Sequence, residues 1–143
     1  MVKEKNQGPL KGLTVLDLTR VLAGPYATMV LSDLGARIIK VEPPMGDDSR
    51  EFSPFINEQS AYFASLNREK ESIKIDLKDK KDKIIFDALL EKSDILIENY
   101  KPGTMDKLGY GYEKLSKKFP NLIYASCSGF GQTGPWASKP AYD

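Results

Sequence analysis

The chain contains no histidine and only one cysteine, Cys127, among its 143 residues. Without histidine it has neither the Ser-His or Cys-His pairs that activate many enzyme nucleophiles nor the imidazole ligands of most zinc sites. A single cysteine excludes an intrachain disulfide. Cys127 ends the apolar run LIYASC, which favours a small strand residue over a reactive thiol. We therefore expect no metal site in this chain.

The sequence also lacks an excess of charge and a long apolar run. Lysine and arginine number 21 against 20 acidic residues, a net charge of +1, so we expect neither nucleic acid nor a membrane as partner. The polar start MVKEKNQGP and the absence of a membrane-length segment predict a cytoplasmic protein. With 41% hydrophobic residues, the chain can bury one core, and we expect one domain.

The stretch 13–44 has the pattern of a strand, a tight turn, a helix and a second strand. An apolar run that suits a buried strand begins at Val15. Pro25 is suited to the first position of the helix, and Gly35 is suited to the left-handed residue at its end. The β-branched run from Arg37 to Val41 follows as the second strand. This order predicts a βαβ unit.

Two loops follow the strands of this unit, from Thr19 to Gly24 and from Glu42 to Asp48. Parallel crossovers are right-handed, and the ligands of such sheets gather at the carboxyl ends of the strands. We therefore expect both loops to lie near a ligand. The alternative is that the first turn only connects the strand to the helix.

After a polar loop from Pro43 to Gln59, strands and helices alternate along the chain. The apolar patterns predict helices at 60–66, 80–92, 104–108 and 112–118, and strands at 72–76, 95–98 and 122–126. The strand at 72–76 alternates apolar and polar residues, which indicates a place at or near a sheet edge. The alternation of elements predicts an α/β fold with a mostly parallel sheet and helices on both faces.

Three glycines after the last predicted strand, Gly129, Gly131 and Gly134, have the G-x-G-x-x-G spacing of a dinucleotide site. In that site a helix begins at the motif, whereas Pro135 and Pro140 favour a loop. We therefore interpret these glycines as loop residues. No covering helix follows the last strand, so we expect the chain to end in the middle of a larger domain.

Four polar side chains come at or just beyond predicted strand ends: Lys78, Asn99, Lys101 and Lys107. If these groups converge, they suit the phosphates of a ligand lying across the carboxyl edge of the sheet. For each lysine taken singly, a solvated surface position is the alternative. Their common placement at strand ends favours the ligand.

Five segments, spread from about Pro9 to Asp143, carry a family resemblance. They are VLDLTRVLAGP, DLGARIIKVEPP, LNREKESIKIDLK, SDILIENYKPGTMDKLGYGYE and PNLIYASCSGFGQTGP. In this order they resemble the N-terminal part of the family III CoA-transferases, the group of formyl-CoA transferase and carnitine CoA-transferase. The resemblance implies a Rossmann-like large domain of which residues 1–143 form an incomplete N-terminal part. It also implies coenzyme A as a substrate and an interlocked homodimer.

The resemblance implies contacts with coenzyme A in the loops after several strands. Carried over by position, these contacts are Leu22, Ala23, Pro43, Ile75, Lys78, Asn99, Tyr100, Lys101, Lys107, Tyr142 and Asp143. Leu22 and Pro43 stand where formyl-CoA transferase has a glutamine and an arginine, so specificity for formate or oxalate is not implied. An apolar Leu22 suits a larger acyl group or serves only in packing.

The family mechanism implies transfer of CoA between a thioester and a free acid through an aspartyl intermediate. The nucleophilic aspartate of the family lies beyond residue 143, and Asp143 is not that residue. We therefore expect no catalytic residue in this chain and no activity from it alone. One alternative is an enzyme of the 2-methylacyl-CoA racemase type, which places a histidine where this chain has Tyr142, a poor base at neutral pH. The other is a truncated, non-catalytic CoA-binding module.

Overall fold

The computed structural model describes residues 7–141, which form a single α/β unit with a two-stranded hairpin at its side. In chain order the elements are β1 (Thr14–Asp17), α1 (Ala23–Asp33), β2 (Arg37–Glu42), a 3-10 helix (Asp48–Glu51), β3 (Phe55–Ile56), β4 (Gln59–Ser60), α2 (Ala61–Leu66), β5 (Glu71–Lys74), α3 (Lys80–Leu90), β6 (Ile95–Glu98), α4 (Thr104–Leu108), α5 (Tyr112–Lys118) and β7 (Ile123–Ser126). Among these residues, no helix has the length and apolar character needed to cross a bilayer.

The main sheet has five strands in the order β5-β2-β1-β6-β7, and every neighbouring pair is parallel. Leu16 at its centre lies beside Ile39 of β2 and Leu96 of β6. The strand order reverses between β1 and β6, and the carboxyl ends at such a reversal are where α/β proteins bind ligands. The mostly parallel α/β sheet predicted from the sequence is confirmed.

Hydrophobic clusters cover both faces of the sheet. Leu16 packs in a cluster with Phe86 of α3, Met105 of α4 and Leu115 of α5. Its neighbour Val15 belongs to a second cluster, against which residues of α1 pack. Successive strand residues point to opposite faces, so α1 lies on one face and α3, α4 and α5 lie on the other. Helices on both faces are therefore confirmed.

Several boundaries differ from the sequence prediction by one or two residues, those of α1 and β5 among them. Helix α1 begins at Ala23, so Pro25 occupies its third position instead of the first, while Gly35 does follow the helix with a φ of +100°. Strand β5 begins one residue earlier than predicted, because the ladder to β2 pairs Ile39 with Glu71. As predicted from its alternating pattern, β5 lies at an edge of the described sheet.

The loop between β2 and α2 contains structure that the sequence analysis did not predict. Within it lie the 3-10 helix and the hairpin of β3 and β4. The hairpin turns at Asn57 and Glu58, whose φ angles of +48° and +63° are left-handed. Asparagine tolerates this conformation, so Asn57 was the one residue in the sequence that could have indicated this turn. After β7, described residues 127–141 hold neither helix nor strand, which confirms that the three spaced glycines lie in a loop.

Candidate functional site

The turn at residues 19–22, directly after β1, is fixed by a side chain from the next strand of the sheet. The carboxamide of Asn99, just beyond β6, accepts a hydrogen bond from the Arg20 N–H and donates one to the Arg20 carbonyl, each at 2.9 Å. Both polar ends of this side chain are thus paired with backbone. Asn99 was predicted as a CoA contact, and the structure places it as a link between the ends of β1 and β6.

The same turn holds Val21 in a backbone conformation that β-branched residues rarely adopt. Its φ is +68°, and such a residue costs on the order of 1–3 kcal/mol unless its surroundings enforce the geometry. The Val21 N–H donates to Asp47 Oδ1 at 3.3 Å. Asp47 pairs with Lys40 at 2.8 Å, and Lys40 in turn donates to the Thr19 carbonyl at 2.8 Å. A buried ion pair therefore holds the backbone at the N–H of the strained residue and at the carbonyl two residues before it.

A second buried ion pair lies beneath the start of α1. Asp17 is fully buried at the end of β1, and its carboxylate accepts from the Thr28 hydroxyl at 2.6 Å and pairs with Lys70 at 3.2 Å. Lys70 also donates to the Pro25 carbonyl at 2.9 Å and to Thr28 at 2.7 Å. Burial lowers the pKa of Lys70, against the opposing effect of Asp17. The ion pair and its hydrogen bonds therefore connect β1, α1 and the segment before β5.

Glycine is required where α1 meets this turn. A Cβ on Gly24 would lie 2.3 Å from the Thr19 Cβ, far inside van der Waals contact. Both residues are buried. The close approach lets the helix begin directly above the end of β1.

The loop after β2 is organised around the buried carboxylate of Glu42. Arg50 donates to both of its oxygens at 2.6 Å, the Ser72 hydroxyl donates at 2.5 Å and the Asp47 N–H donates at 3.0 Å. Burial acts to raise the pKa of Glu42, but these hydrogen bonds, with Arg50 foremost, lower it to about 2. Asp47 behaves similarly: burial opposes ionisation, yet hydrogen bonds from Lys40 and Ser49 hold its pKa below the usual range.

A cleft of about 130 Å³ opens at the carboxyl edge of the sheet, between the loops that follow β2 and β5. Four of the predicted contacts line it: Pro43, Ile75, Lys78 and Tyr100. The walls are otherwise largely apolar, so the cleft suits a ligand with an apolar arm and an anionic group near Lys78. Burial raises the pKa of Tyr100, although the Arg20 cation acts to lower it. The Tyr100 hydroxyl is therefore neutral at pH 7.

The other predicted contacts lie outside this cleft. Leu22, 44% exposed, and Ala23, also exposed, start α1, whose N-terminus has no side-chain cap. Lys107 is exposed on α4, next to the cleft residue Leu108. Lys101 lines a second cleft, of about 440 Å³, whose wall carries Glu98, Asp106 and Glu113. Tyr142 and Asp143 lie outside the described residues.

The sequence analysis missed the buried charges that shape these loops. They are Asp17, Lys40, Glu42, Asp47, Lys70 and Glu98. The signal was a lysine and a glutamate inside RIIKVE, because a charge in an otherwise buried strand needs a partner. Within residues 7–141, no three His, Cys, Asp or Glu side chains are arranged to hold a metal ion.

Comparison with known proteins relates this geometry to a family. The family model described as CoA-transferase family III matches residues 10–143. An acetyl-CoA:oxalate CoA-transferase of Acetobacter aceti is 57% identical over 140 residues, which cover 97% of this chain and 36% of the relative. A succinyl-CoA:glutarate CoA-transferase of Mus musculus is 50% identical over 137 residues, which cover 94% of this chain and 31% of the relative.

A solved structure extends the comparison to the fold. The crystal structure of a CAIB/BAIF family protein from Brucella suis matches with a TM-score of 0.89 and 44% sequence identity, over 95% of this chain and 37% of that one. This chain therefore spans about a third of the length of the relatives that it matches. The resemblance derived from the sequence motifs is confirmed: the chain belongs to CoA-transferase family III.

Proposed function

We propose that this chain forms the N-terminal part of the large domain of an enzyme that moves CoA between an acyl-CoA thioester and a free carboxylic acid. The match of CoA-transferase family III to residues 10–143 carries the proposal. The names of two relatives, an acetyl-CoA:oxalate and a succinyl-CoA:glutarate CoA-transferase, support the same reaction class. The cleft at the carboxyl edge supplies a place for the CoA moiety.

In this proposal the walls of the cleft and its mouth contact different parts of CoA. Pro43 and Ile75 contact the apolar stretches of the pantetheine arm, and Lys78 pairs with a phosphate. Lys101 and Lys107, on the segment after β6, extend the cationic surface toward further phosphates. Tyr100 donates its hydroxyl as a hydrogen bond, since a phenol is neutral at pH 7 and burial raises its pKa further.

The chemical step requires a carboxylate that we place beyond residue 143. That aspartate attacks the thioester carbonyl, the C–S bond breaks and the CoA thiolate leaves, which gives a mixed anhydride. The thiolate then attacks the aspartyl carbonyl and releases the first acid, which leaves an aspartyl-CoA thioester. The incoming carboxylate repeats these steps in reverse. Residues 1–143 therefore bind and position CoA in this scheme and supply no nucleophile.

The first turn contributes to the choice of acyl group. Leu22 is 44% exposed at the start of α1, where an apolar side chain can contact an acyl group larger than formyl. The proposal further includes an interlocked homodimer in the cytoplasm, with small molecules as the only ligands. A near-zero net charge of +1 supports the absence of nucleic acid or membrane as a partner.

The test measures exchange between labelled acyl-CoA thioesters and free carboxylic acids, first with the full-length protein and then with residues 1–143 alone. We expect turnover from the full-length protein and none from the isolated chain. Turnover by the isolated chain would show that the nucleophile lies within it. If the full-length protein binds CoA but catalyses no exchange, its function is that of a CoA-binding module and not of a transferase.

The same enzyme, incubated with a 2-methylacyl-CoA in deuterium oxide, tests the racemase alternative. A transferase leaves the C–H bond beside the thioester intact, whereas a racemase exchanges that proton with solvent. We expect no deuterium at this carbon. Rapid deuterium uptake that a Tyr142→Phe variant abolishes would establish proton transfer and overturn the transferase assignment.

A further inference from the structure

The turn after β1 would not keep its shape if it were an isolated peptide. Val21 has a φ of +68°, a region that glycine enters freely and that valine strongly disfavours. The two residues that follow it, Leu22 and Ala23, are predicted contacts of the CoA thioester. The position of these two residues therefore depends on whatever enforces the conformation of Val21.

Two side chains hold the backbone here: Asn99 binds both polar groups of Arg20, and Asp47 contacts the N–H of Val21 itself. The Oδ1 atom of Asp47 accepts the Val21 N–H at 3.3 Å, and its other oxygen pairs with Lys40 at 2.8 Å. The carboxylate is itself held by the Ser49 N–H at 2.9 Å and the Ser49 hydroxyl at 2.7 Å. Both Asp47 and Lys40 have side chains only 1% exposed. Neither charge can turn toward solvent, so the carboxylate has one available orientation.

Asp47 also belongs to the loop that forms one wall of the cleft. Its N–H donates to Glu42 Oε2 at 3.0 Å, and this contact closes the loop that carries Pro43 and Pro44. The opposite side of the same residue holds the turn that carries Leu22. A single buried residue thus connects the cleft wall, through its backbone N–H, to the first turn, through its side chain.

We infer that Asp47 is a positioning residue, which holds the turn at 19–22 in its ligand-binding shape and fixes Leu22 and Ala23 relative to the cleft. The ligand in this inference, acyl-CoA, rests on the proposed function. Asp47 contacts no ligand; it acts through the Val21 N–H and through Lys40, which donates to the Thr19 carbonyl.

The test compares three variants of the full-length protein: Asp47→Asn, Asp47→Asn combined with Val21→Gly, and Asp48→Asn as a control. Asp48 is the neighbouring carboxylate, is 58% exposed and pairs with the Arg20 side chain, not with the turn backbone. We expect Asp47→Asn to weaken acyl-CoA binding about tenfold. Glycine adopts the left-handed conformation without enforcement, so the double variant should recover binding to within about threefold of the wild-type.

Amide hydrogen exchange of the ligand-free protein gives a second readout. Asp47→Asn should speed exchange in residues 19–24 about tenfold and leave β7 unchanged, whereas a general loss of stability would speed both. Should Asp47→Asn fail to fold, Ser49→Ala removes only the hydroxyl that orients Asp47 and should change both readouts in the same direction.

Two results would overturn the inference: unchanged exchange at residues 19–24 in a folded Asp47 or Ser49 variant, or a double variant that binds no better than Asp47→Asn. A wild-type protein that binds no CoA would contradict the proposed function instead. In that case the exchange measurement still decides whether Asp47 holds the turn.

Discussion

The carboxyl edge of the sheet differs on the two sides of β1. On the side of β2 and β5, Lys40 and Glu42 are buried, and each pairs with an opposite charge from a loop. On the side of β6 and β7, Lys101 and Lys107 are exposed on a loop and a short helix. The first side buries both members of an ion pair, Lys40 and Asp47, to shape its loop. The second side also buries a carboxylate, that of Glu98, which accepts the Tyr100 N–H at 2.8 Å, but its Lys101 and Lys107 lie at the surface and, in our proposal, contact a ligand.

This difference separates two energetic roles. Removing one partner of a buried ion pair leaves an uncompensated charge and destabilises a protein by about 3–5 kcal/mol. An exposed lysine contributes little to folding, with a median near 0–1 kcal/mol even when it is paired. Substitutions at the buried ion pairs should therefore affect stability, and those at the exposed lysines should affect binding.

The largest effect is expected at Lys70. Lys70→Met keeps the aliphatic bulk but leaves the fully buried Asp17 without its cation, so we expect a loss of about 3–5 kcal/mol in the free energy of unfolding. Urea denaturation of the full-length protein measures it. Lys92→Met, at an exposed site after α3, is the control and should stay within about 0.5 kcal/mol of the wild-type. Equal effects at the two sites would contradict the distinction between buried and exposed charges.

The next effect is a pH dependence at Glu42. Its pKa falls from 4.5 to about 2 on folding, so its ionised form contributes stability above pH 4.5 that is lost as the pH falls toward 2. The contribution is on the order of 3 kcal/mol. Glu42→Gln should be less stable than the wild-type at pH 6, and the gap should narrow in acid. Unfolding curves from pH 6 to pH 2.5 measure it, and a constant gap would contradict the assigned pKa.

A smaller effect, on binding alone, is expected for the exposed lysines. Alanine at Lys78, Lys101 or Lys107 should weaken CoA binding by about 1–3 kcal/mol and reduce its salt dependence. Lys78 should have the largest effect, because it lines the cleft. Titration calorimetry at two ionic strengths measures this. Unchanged affinity for CoA in all three variants would show that these lysines are solvated surface residues with no role in binding.

The smallest effect is expected at an exposed ion pair on the β2 side. Arg37 donates to both oxygens of Glu71 at 2.8 Å, but the two side chains are 49% and 56% exposed. Arg37→Ala should therefore cost at most about 1 kcal/mol of unfolding free energy. Comparison with Lys70→Met in the same denaturation series shows whether burial or strand location sets the effect. A loss of unfolding free energy as large as that of Lys70→Met would show that strand location, not burial, sets the effect.

The fold was largely predictable from the sequence because its strands and helices carry strong apolar patterns. The strand at Ile95–Glu98 and the helices at Thr104–Leu108 and Tyr112–Lys118 have the predicted boundaries. The hairpin of β3 and β4 was not predicted, since two-residue strands are too short for an alternation to be seen. Helix α1 begins two residues before Pro25, at a point where Gly24 allows its backbone to approach Thr19 closely.

Two of the predicted contacts lie together, but the hydrogen bonds around them were not predictable. The strand ends predicted Lys78 and the family resemblance implied Pro43, and both residues line one cleft. The sequence could not show that Asn99 binds the Arg20 backbone, because the two residues are 79 positions apart and meet only in the folded sheet. The pairing of Lys40 with Asp47 was hidden for a related reason: a charge in a strand indicates that a partner exists but not which one.

The long separation between Arg20 and Asn99 also has a consequence for how the chain is made. At about 5–20 residues per second, the ribosome needs roughly 4–16 s to synthesise the 79 residues that separate them. Until β6 emerges, β1 pairs only with β2, and one edge of the future central strand presents unpaired backbone groups. We therefore expect this edge of β1 to be covered only when residues 95–98 have left the ribosome and pair with it.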